Sequence, residues 1–141
     1  MCLANEEILV SSSNDQTVCL WDFRTGLPIR VLIGHSDSVY GLKTISFNLI
    51  ASASNDKTIR IWDTSSGRQL KKLIGHTSYM FWSLDMLNES VLISGSDDTT
   101  IKLWNVSTGA LMAGPFHFLQ LPIIFEKRKC FIRKNMSSII K

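Results

Sequence analysis

Long hydrophobic runs and a basic, apolar start are both absent from this sequence. Its longest apolar stretch, residues 116–125, contains Gln120 and Pro122 and is far shorter than the ~20 residues that a membrane helix needs. Residues 1–7 include two glutamates where a secretory signal has basic residues. We therefore expect neither a membrane span nor a signal peptide.

Cysteines are also few. The chain has three, an odd number without paired spacing, and they are Cys2, Cys19 and Cys130. This pattern argues against a disulfide framework and against a zinc knuckle. The resulting expectation is a soluble protein of a reducing, intracellular compartment, cytoplasmic or nuclear.

The charge is nearly balanced, with 15 lysines and arginines against 12 aspartates and glutamates. Residues 1–112 carry nine basic and eleven acidic side chains, a net charge of −2. Residues 113–141 carry six basic side chains against Glu126 alone, a net charge of +5. Since the basic excess belongs to the C-terminal part, the main body shows no nucleic-acid-binding face, and any nucleic-acid contact is expected to be indirect.

An internal repeat organises most of the chain. A twelve-residue pattern of small, turn-forming and alternating residues occurs at 11–22, 52–63 and 94–105. The tryptophans that precede its last residue are 41 and 42 residues apart, and they are Trp21, Trp62 and Trp104. A Gly-His dipeptide occurs twice with the same spacing, at 34–35 and at 75–76. Self-similarity at this period predicts a repeat architecture.

Each unit has the pattern of short β-strands joined by turns. In the second unit, residues 49–54 are compatible with a strand, and the Asn-Asp-Lys sequence at 55–57 predicts a tight turn. Residues 58–63 alternate, with Ile59 and Ile61 on one side, as the two-residue period of a strand requires. No long stretch has helical periodicity, so we predict an all-β protein.

The repeat resembles that of the WD-repeat β-propeller family in four features. These are the period of about 41 residues, the Gly-His opening, the aspartate in the turn before the third strand, and the closing Trp-Asp. The resemblance covers residues 6–112. It implies about three four-stranded antiparallel blades, which form an incomplete WD-repeat β-propeller with a divergent C-terminal tail.

We expect four segments along the chain. Residues 1–34 form a partial first repeat without its opening strand, 35–75 the second repeat, 76–112 the third, and 113–141 a divergent basic tail. The tail is expected to be solvated and poorly ordered, and a nuclear-import signal or an anionic-surface contact is the alternative for its basic residues. Its His117 lies near the position expected for a third Gly-His, but no glycine precedes it.

The resemblance implies a hydrogen-bonded tetrad of tryptophan, serine, histidine and aspartate inside each blade. In the second repeat the corresponding residues are Trp62, Ser52, His35 and Asp56. In the third repeat they are Trp104, Ser94, His76 and Asp98. The first repeat contributes only three, Trp21, Ser11 and Asp15. We expect the tetrads to satisfy polar groups that the blades bury.

Serine, histidine and aspartate together also suggest a nucleophilic triad. The same residue types recur in each repeat, however, and an enzyme rarely builds one catalytic site per repeat. The spacing of His35, His76 and His117 follows the repeat rather than a metal-ligand pattern, and no Gly-rich phosphate loop is present. We therefore expect no enzymatic activity, no metal and no cofactor.

The resemblance also implies where partners bind, since propellers of this family generally bind peptides or proteins on the narrower top face. The family's contact positions follow the Gly-His opening and precede the tetrad aspartate, which here gives Ser38, Tyr40, Tyr79, Phe81, Asn14, Asn55 and Asp97. Aromatic side chains at an exposed rim are good anchors, because they offer a large contact area with few torsions to fix. The competing interpretation for residues 79–82 is packing between blades.

Three blades do not close a ring, since propellers typically have four to eight. We expect further blades from a longer chain, or a second copy, to complete it. The predicted function is a non-enzymatic scaffold that binds protein or peptide partners. The alternative is a substrate-recognition or regulatory subunit of an enzyme complex, such as a ubiquitin ligase or a chromatin or RNA-processing assembly.

Overall fold

The structure is a computed structural model. It describes residues 1–4, 7–79 and 83–117, together with the backbone of 124–126 and 129–131. All regular structure in these residues is β-strand, so the all-β prediction is confirmed. Within these ranges, no helix has the length and apolar character needed to cross a membrane.

Twelve strands form three four-stranded antiparallel sheets, and the strands of each sheet pair in chain order. The first sheet contains β1 (Cys2–Leu3), β2 (Ile8–Ser12), β3 (Val18–Asp22) and β4 (Pro28–Leu32). The second contains β5 (Val39–Ser46), β6 (Leu49–Ser54), β7 (Thr58–Asp63) and β8 (Gln69–Ile74). The third contains β9 (Leu84–Asn88), β10 (Val91–Gly95), β11 (Thr100–Asn105) and β12 (Leu111–His117). A separate hairpin pairs β13 (Ile124–Glu126) with β14 (Lys129–Phe131).

The turns between the second and third strands of the three sheets are alike. Each contains an aspartate that accepts a hydrogen bond from the backbone N–H of the threonine two residues later, at 3.0 Å. The residue between them has a positive φ in every case, and these residues are Gln16 (76°), Lys57 (68°) and Thr99 (65°). The aspartate thus fixes a tight turn that brings two neighbouring strands together.

The sheets pack face to face, and the two interfaces use equivalent residues. The core between the first and second sheets has side chains at most 2% exposed, namely Val10, Val18, Leu20, Leu32, Val39, Ile50 and Trp62. The core between the second and third sheets consists of Ala51, Ala53, Ile59, Ile61, Leu73, Leu84, Leu92 and Trp104. The second sheet is therefore buried on both faces, which explains why the first five residues of β7 are all buried.

The first sheet has an opening strand, so the prediction that the first repeat lacks one is wrong. In this strand Cys2 pairs with Val10 and Leu3 pairs with Leu9. The hydroxyl of Thr44, in β5, donates a hydrogen bond to the carbonyl of Leu3. Contact with the second sheet therefore supports a strand of only two residues.

The third sheet continues beyond Met112, where the sequence repeat fades. Phe116 pairs with Ile101 and packs on an apolar cluster formed by Val91, Ile93, Ile101 and Leu103. His117 pairs with Thr100, as Ile74 pairs with Thr58 in the second sheet, so it does not take the place of a Gly-His histidine. Most of the predicted tail lies outside the described residues, including five of its six basic residues, Lys127, Arg128, Arg133, Lys134 and Lys141.

Candidate functional site

Four polar side chains of the second repeat are connected by hydrogen bonds. His35 lies between β4 and β5, with Nδ1 2.8 Å from Asp56 Oδ2 and Nε2 2.7 Å from Ser52 Oγ. The Nε1 of Trp62 donates to the same serine oxygen at 2.8 Å. The structure thus brings together the four residues that the sequence analysis grouped.

The third repeat contains the same arrangement. His76 has Nδ1 2.7 Å from Asp98 Oδ2 and Nε2 2.8 Å from Ser94 Oγ. Trp104 donates to Ser94 Oγ at 2.7 Å. Each histidine is 6% exposed and each serine is fully buried. Because the two sets agree closely, they form a repeated unit of the fold.

The chemistry of the groups fixes the direction of two of these hydrogen bonds. An indole N–H only donates, and a carboxylate only accepts. The oxygen of Ser52 therefore accepts from Trp62, and His35 Nδ1–H donates to Asp56, while His35 Nε2 and the Ser52 hydroxyl form the third hydrogen bond. Since Ser52 has no exposed surface, this set braces the sheet rather than attacking an external substrate.

The aspartates of both sets have lowered pKa values. Burial raises the pKa of Asp98, but hydrogen bonds led by that from Thr100 outweigh burial and leave this pKa at about 2. Burial also raises the pKa of Asp56. Hydrogen bonds, of which that from His35 has the largest effect, outweigh burial and hold this pKa well below its usual range. Burial lowers the pKa of His76, against the opposing effect of Asp98.

These shifts predict that acid weakens the fold. Asp98 has a lower pKa in the folded chain than the ~3.9 of an unfolded aspartate, so its contribution is complete above about pH 4 and is lost as the pH falls toward 2. His76 acts in the same direction below about pH 6.5, because the unfolded chain takes up the proton first. We expect urea unfolding to show a free energy of unfolding that decreases through this range.

An Asp98→Asn variant tests the origin of this pH dependence, with Asp97→Asn as its matched control. Asp97 is the exposed neighbour and makes no hydrogen bond to His76. The Asp98→Asn protein is expected to show a flatter pH dependence between about pH 4 and pH 2, whereas Asp97→Asn retains the native one. Equal slopes in all three proteins would contradict the assignment.

A threonine in each turn belongs to this network, although the sequence analysis did not assign it a role. The hydroxyl donates to Oδ1 of the turn aspartate at 2.6–2.7 Å, and the three residues are Thr17, Thr58 and Thr100. The signal was present, because Asp-x-Thr occurs at the same place in all three repeats. Threonine is also common in β-strands in general, so its place at the start of a strand did not by itself indicate a hydrogen bond to the aspartate.

The first sheet carries part of the same arrangement. Trp21 Nε1 donates to Ser11 Oγ at 2.7 Å, and Asp15 accepts both hydrogen bonds from Thr17. In the described part of the chain, no imidazole contacts either Ser11 or Asp15. Trp21 is half-buried, whereas the tryptophans at its position in the other two sheets are 1% exposed.

The predicted partner-contact residues lie at one end of the sheets. We call this end the upper edge and define it by the β2–β3, β6–β7 and β10–β11 turns, by the described residues of the segments that precede β5 and β9, and by the first two residues of β5. It contains Asn14, Ser38, Tyr40, Asn55, Tyr79 and Asp97. Phe81 lies outside the described residues, and the contact role of the whole set stays a prediction.

Backbone hydrogen bonds connect the parts of the upper edge. The N–H of Asn55 donates to the carbonyl of Ser38, and the N–H of Asp97 donates to the carbonyl of Tyr79, both at 3.0 Å. The hydroxyl of Ser38 also donates to the carbonyl of Asn14 at 3.3 Å, which joins the first and second sheets. Hydrogen bonds therefore hold the described turns of the upper edge to the segments beside them.

Comparisons with known proteins agree with this architecture. The family model described as WD domain, G-beta repeat matches residues 2–22, 26–63 and 67–105. The solved structure of U3-55K is 20% identical, with a TM-score of 0.69, and the match covers 75% of this chain and 33% of that chain. The WD40 β-propeller domain of Doa1 is 28% identical, also with a TM-score of 0.69, and the coverage is 77% and 36%. No curated protein matches. The chain thus spans about a third of these structures.

Proposed function

Because this chain belongs to the WD40 repeat family, we propose that it is a non-enzymatic scaffold that binds protein or peptide partners at its upper edge. Propellers of this family generally mediate protein–protein interaction. The upper-edge location is our inference from the positions of the named residues.

The observation that carries the proposal is that Tyr79 combines a hydrogen-bonded backbone with an exposed side chain. Its carbonyl accepts hydrogen bonds from the N–H of Asp97 at 3.0 Å and from the hydroxyl of Ser96 at 2.7 Å. Its side chain is nevertheless 48% exposed. A fixed backbone with an exposed aromatic ring loses little entropy on binding, which is the property of a contact anchor.

The buried tetrads support a role without catalysis. Their serine, histidine and aspartate atoms bond to one another, and both serines are fully buried. No group of three or more histidine, cysteine, aspartate or glutamate side chains in the described ranges could hold a metal ion. The reactive side-chain types of the repeats are therefore used to hold the sheets together.

A Tyr40→Ala, Tyr79→Ala double variant is expected to weaken partner binding at least about tenfold, because exposed interface tyrosines often contribute more than 1 kcal/mol each. Affinity capture with quantitative mass spectrometry identifies the partner. Titration calorimetry with the purified partner then gives the two dissociation constants.

The matched control is Phe23→Ala. Phe23 is an aromatic residue that is 60% exposed in the turn after β3, at the opposite end of the sheets. This variant is expected to retain native affinity. Unchanged affinity of the double variant, with native thermal unfolding, would show that the upper edge is not the contact surface.

A further inference from the structure

The last strand of each sheet carries an exposed apolar side chain at an equivalent place. In β4, β8 and β12, the residue that follows the pairing partner of the tryptophan is skipped in the register, as in a β-bulge. The skipped residues are 47–54% exposed, and they are Ile29, Leu70 and Met112. A β-bulge re-aims a side chain, and here it leaves a large apolar group in contact with solvent.

This exposure belongs to the strands themselves. The second sheet is covered on both faces, whereas the first packs against one neighbouring sheet, yet Leu70 and Ile29 are almost equally exposed. The residues before the two Gly-His dipeptides also agree, since Ile33 is 79% and Ile74 is 70% exposed. Covering by a neighbouring sheet therefore does not bury these side chains.

Basic side chains lie beside the apolar ones. We call the exposed and half-buried side chains of residues 29–33 and 70–74 the outer rim. Its charged residues are all basic, and they are Arg30, Lys71 and Lys72. In the described part of the chain, none of the three takes part in an ion pair. The outer rim is thus an apolar surface with uncompensated positive charge.

Two of these cations are held against the next sheet. The stem of Arg30 lies against Gly67, and its Nη2 is 3.5 Å from the carbonyl oxygen of Ser65. Lys71 is placed in the same way, since a Cβ added to Gly109 would lie 3.4 Å from Lys71 Cδ. Packing of the stems restricts where the charged ends can lie, which favours a partner with carboxylates at matching positions.

We propose that the outer rim binds an acidic amphipathic helix of another protein, at a surface separate from the upper edge. The helix lies across β4 and β8. Its aliphatic side chains contact Ile29 and Leu70, and its carboxylates pair with Arg30, Lys71 and Lys72.

The choice of a helix follows from the state of the strand edge. The skipped residue interrupts the row of backbone groups that β8 offers to another strand, and lysines at an edge also discourage strand pairing. The partner must therefore satisfy its own backbone hydrogen bonds, as a helix does. An amphipathic helix also places an apolar stripe between charged flanks, which matches the composition of the outer rim.

The choice of a protein over a lipid surface follows from the positions of the cations. A lipid surface attracts basic residues through its average charge, which rewards a large number of mobile side chains. The outer rim instead has three cations, two of which pack on neighbouring turns. Such an arrangement suits a few carboxylates at defined places.

A labelled synthetic peptide provides the test. The peptide has leucines along one helical face, glutamates on both flanks of that face and alanines elsewhere. Fluorescence anisotropy with the full chain is expected to show saturable binding that weakens as the salt concentration rises. A version with lysine in place of each glutamate is expected to bind at least about tenfold more weakly.

Leu70→Ser and Lys72→Glu proteins are each expected to bind the acidic peptide about tenfold more weakly. Both side chains are exposed, so circular dichroism is expected to show a native fold. The matched control is Lys57→Glu, which makes the same charge change at an exposed position of the upper edge. This control, and the Tyr40→Ala, Tyr79→Ala double variant, are expected to retain native affinity for the peptide.

Three results would overturn the proposal. The first is the absence of saturable binding by the folded chain. The second is an equal loss of affinity in Lys57→Glu and Lys72→Glu, because attraction would then follow net charge rather than the outer rim. The third comes from phosphatidylserine vesicles: if the chain binds the vesicles through Leu70 and Lys72 but does not bind the peptide, the outer rim contacts lipid.

Discussion

Replacing Trp62 by alanine is expected to lower the free energy of unfolding by about 3–5 kcal/mol. The side chain is 1% exposed, lies in the core between the first and second sheets, and donates a hydrogen bond to Ser52. Its removal opens a cavity and also leaves the buried serine oxygen without its donor. Urea unfolding followed by circular dichroism measures this loss.

Trp21→Ala is the matched control, because Trp21 has the same place in the first sheet and makes the same hydrogen bond to a serine. It is half-buried, so a smaller loss of about 1–2 kcal/mol is expected. Equal losses for the two variants would contradict the view that burial between two sheets determines the contribution of Trp62.

His76→Ala is expected to lower the free energy of unfolding by roughly 1–3 kcal/mol, because Ser94 and Asp98 lose a buried partner. His117→Ala provides the control. His117 is exposed at the end of β12, and its replacement is expected to change stability by less than about 0.5 kcal/mol. A native thermal unfolding curve for His76→Ala would rule out the bracing role.

The repeat register predicted the three sheets, and the resemblance to the WD-repeat family implied the polar tetrads that the structure brings together. His35 and Asp56 are 21 residues apart, and no local pattern connects them. The resemblance implied their pairing, and the repeat located the equivalent pair, His76 and Asp98, because residues with equal positions in a repeating unit take equal places in successive sheets. Family resemblance and register together therefore supplied the long-range information that a single strand lacks.

The opening strand was missed for a different reason. A two-residue strand has no periodicity to detect, and contacts made by the folded chain decide its existence. Those contacts are the pairing of Leu3 with Leu9, the hydrogen bond from Thr44, and the burial of Ala4 to 4% exposure. The length of β12 was underestimated for a similar reason. The sequence repeat fades after Met112, but the strand continues because Phe116 pairs with Ile101 and packs on its cluster.

The upper edge shows where prediction from repetition ends. Ser38 and Tyr79 have equivalent positions after the two Gly-His dipeptides, yet one is a small hydroxyl residue and the other a large aromatic residue. Positions that hold the sheets together are repeated because every interface has the same demands. Positions that contact a partner need not be repeated, so the residue type at these positions can differ from one repeat to the next.

The first sheet packs against a neighbouring sheet on one face only, and this determines how its strands open. The second sheet is covered on both sides, whereas Leu9 and Trp21 of the first are only half-buried. The backbone amides of β2 and β3 are therefore expected to exchange with solvent sooner than those of β6 and β7. Proteases that sample such openings will cut the first sheet before they cut the second.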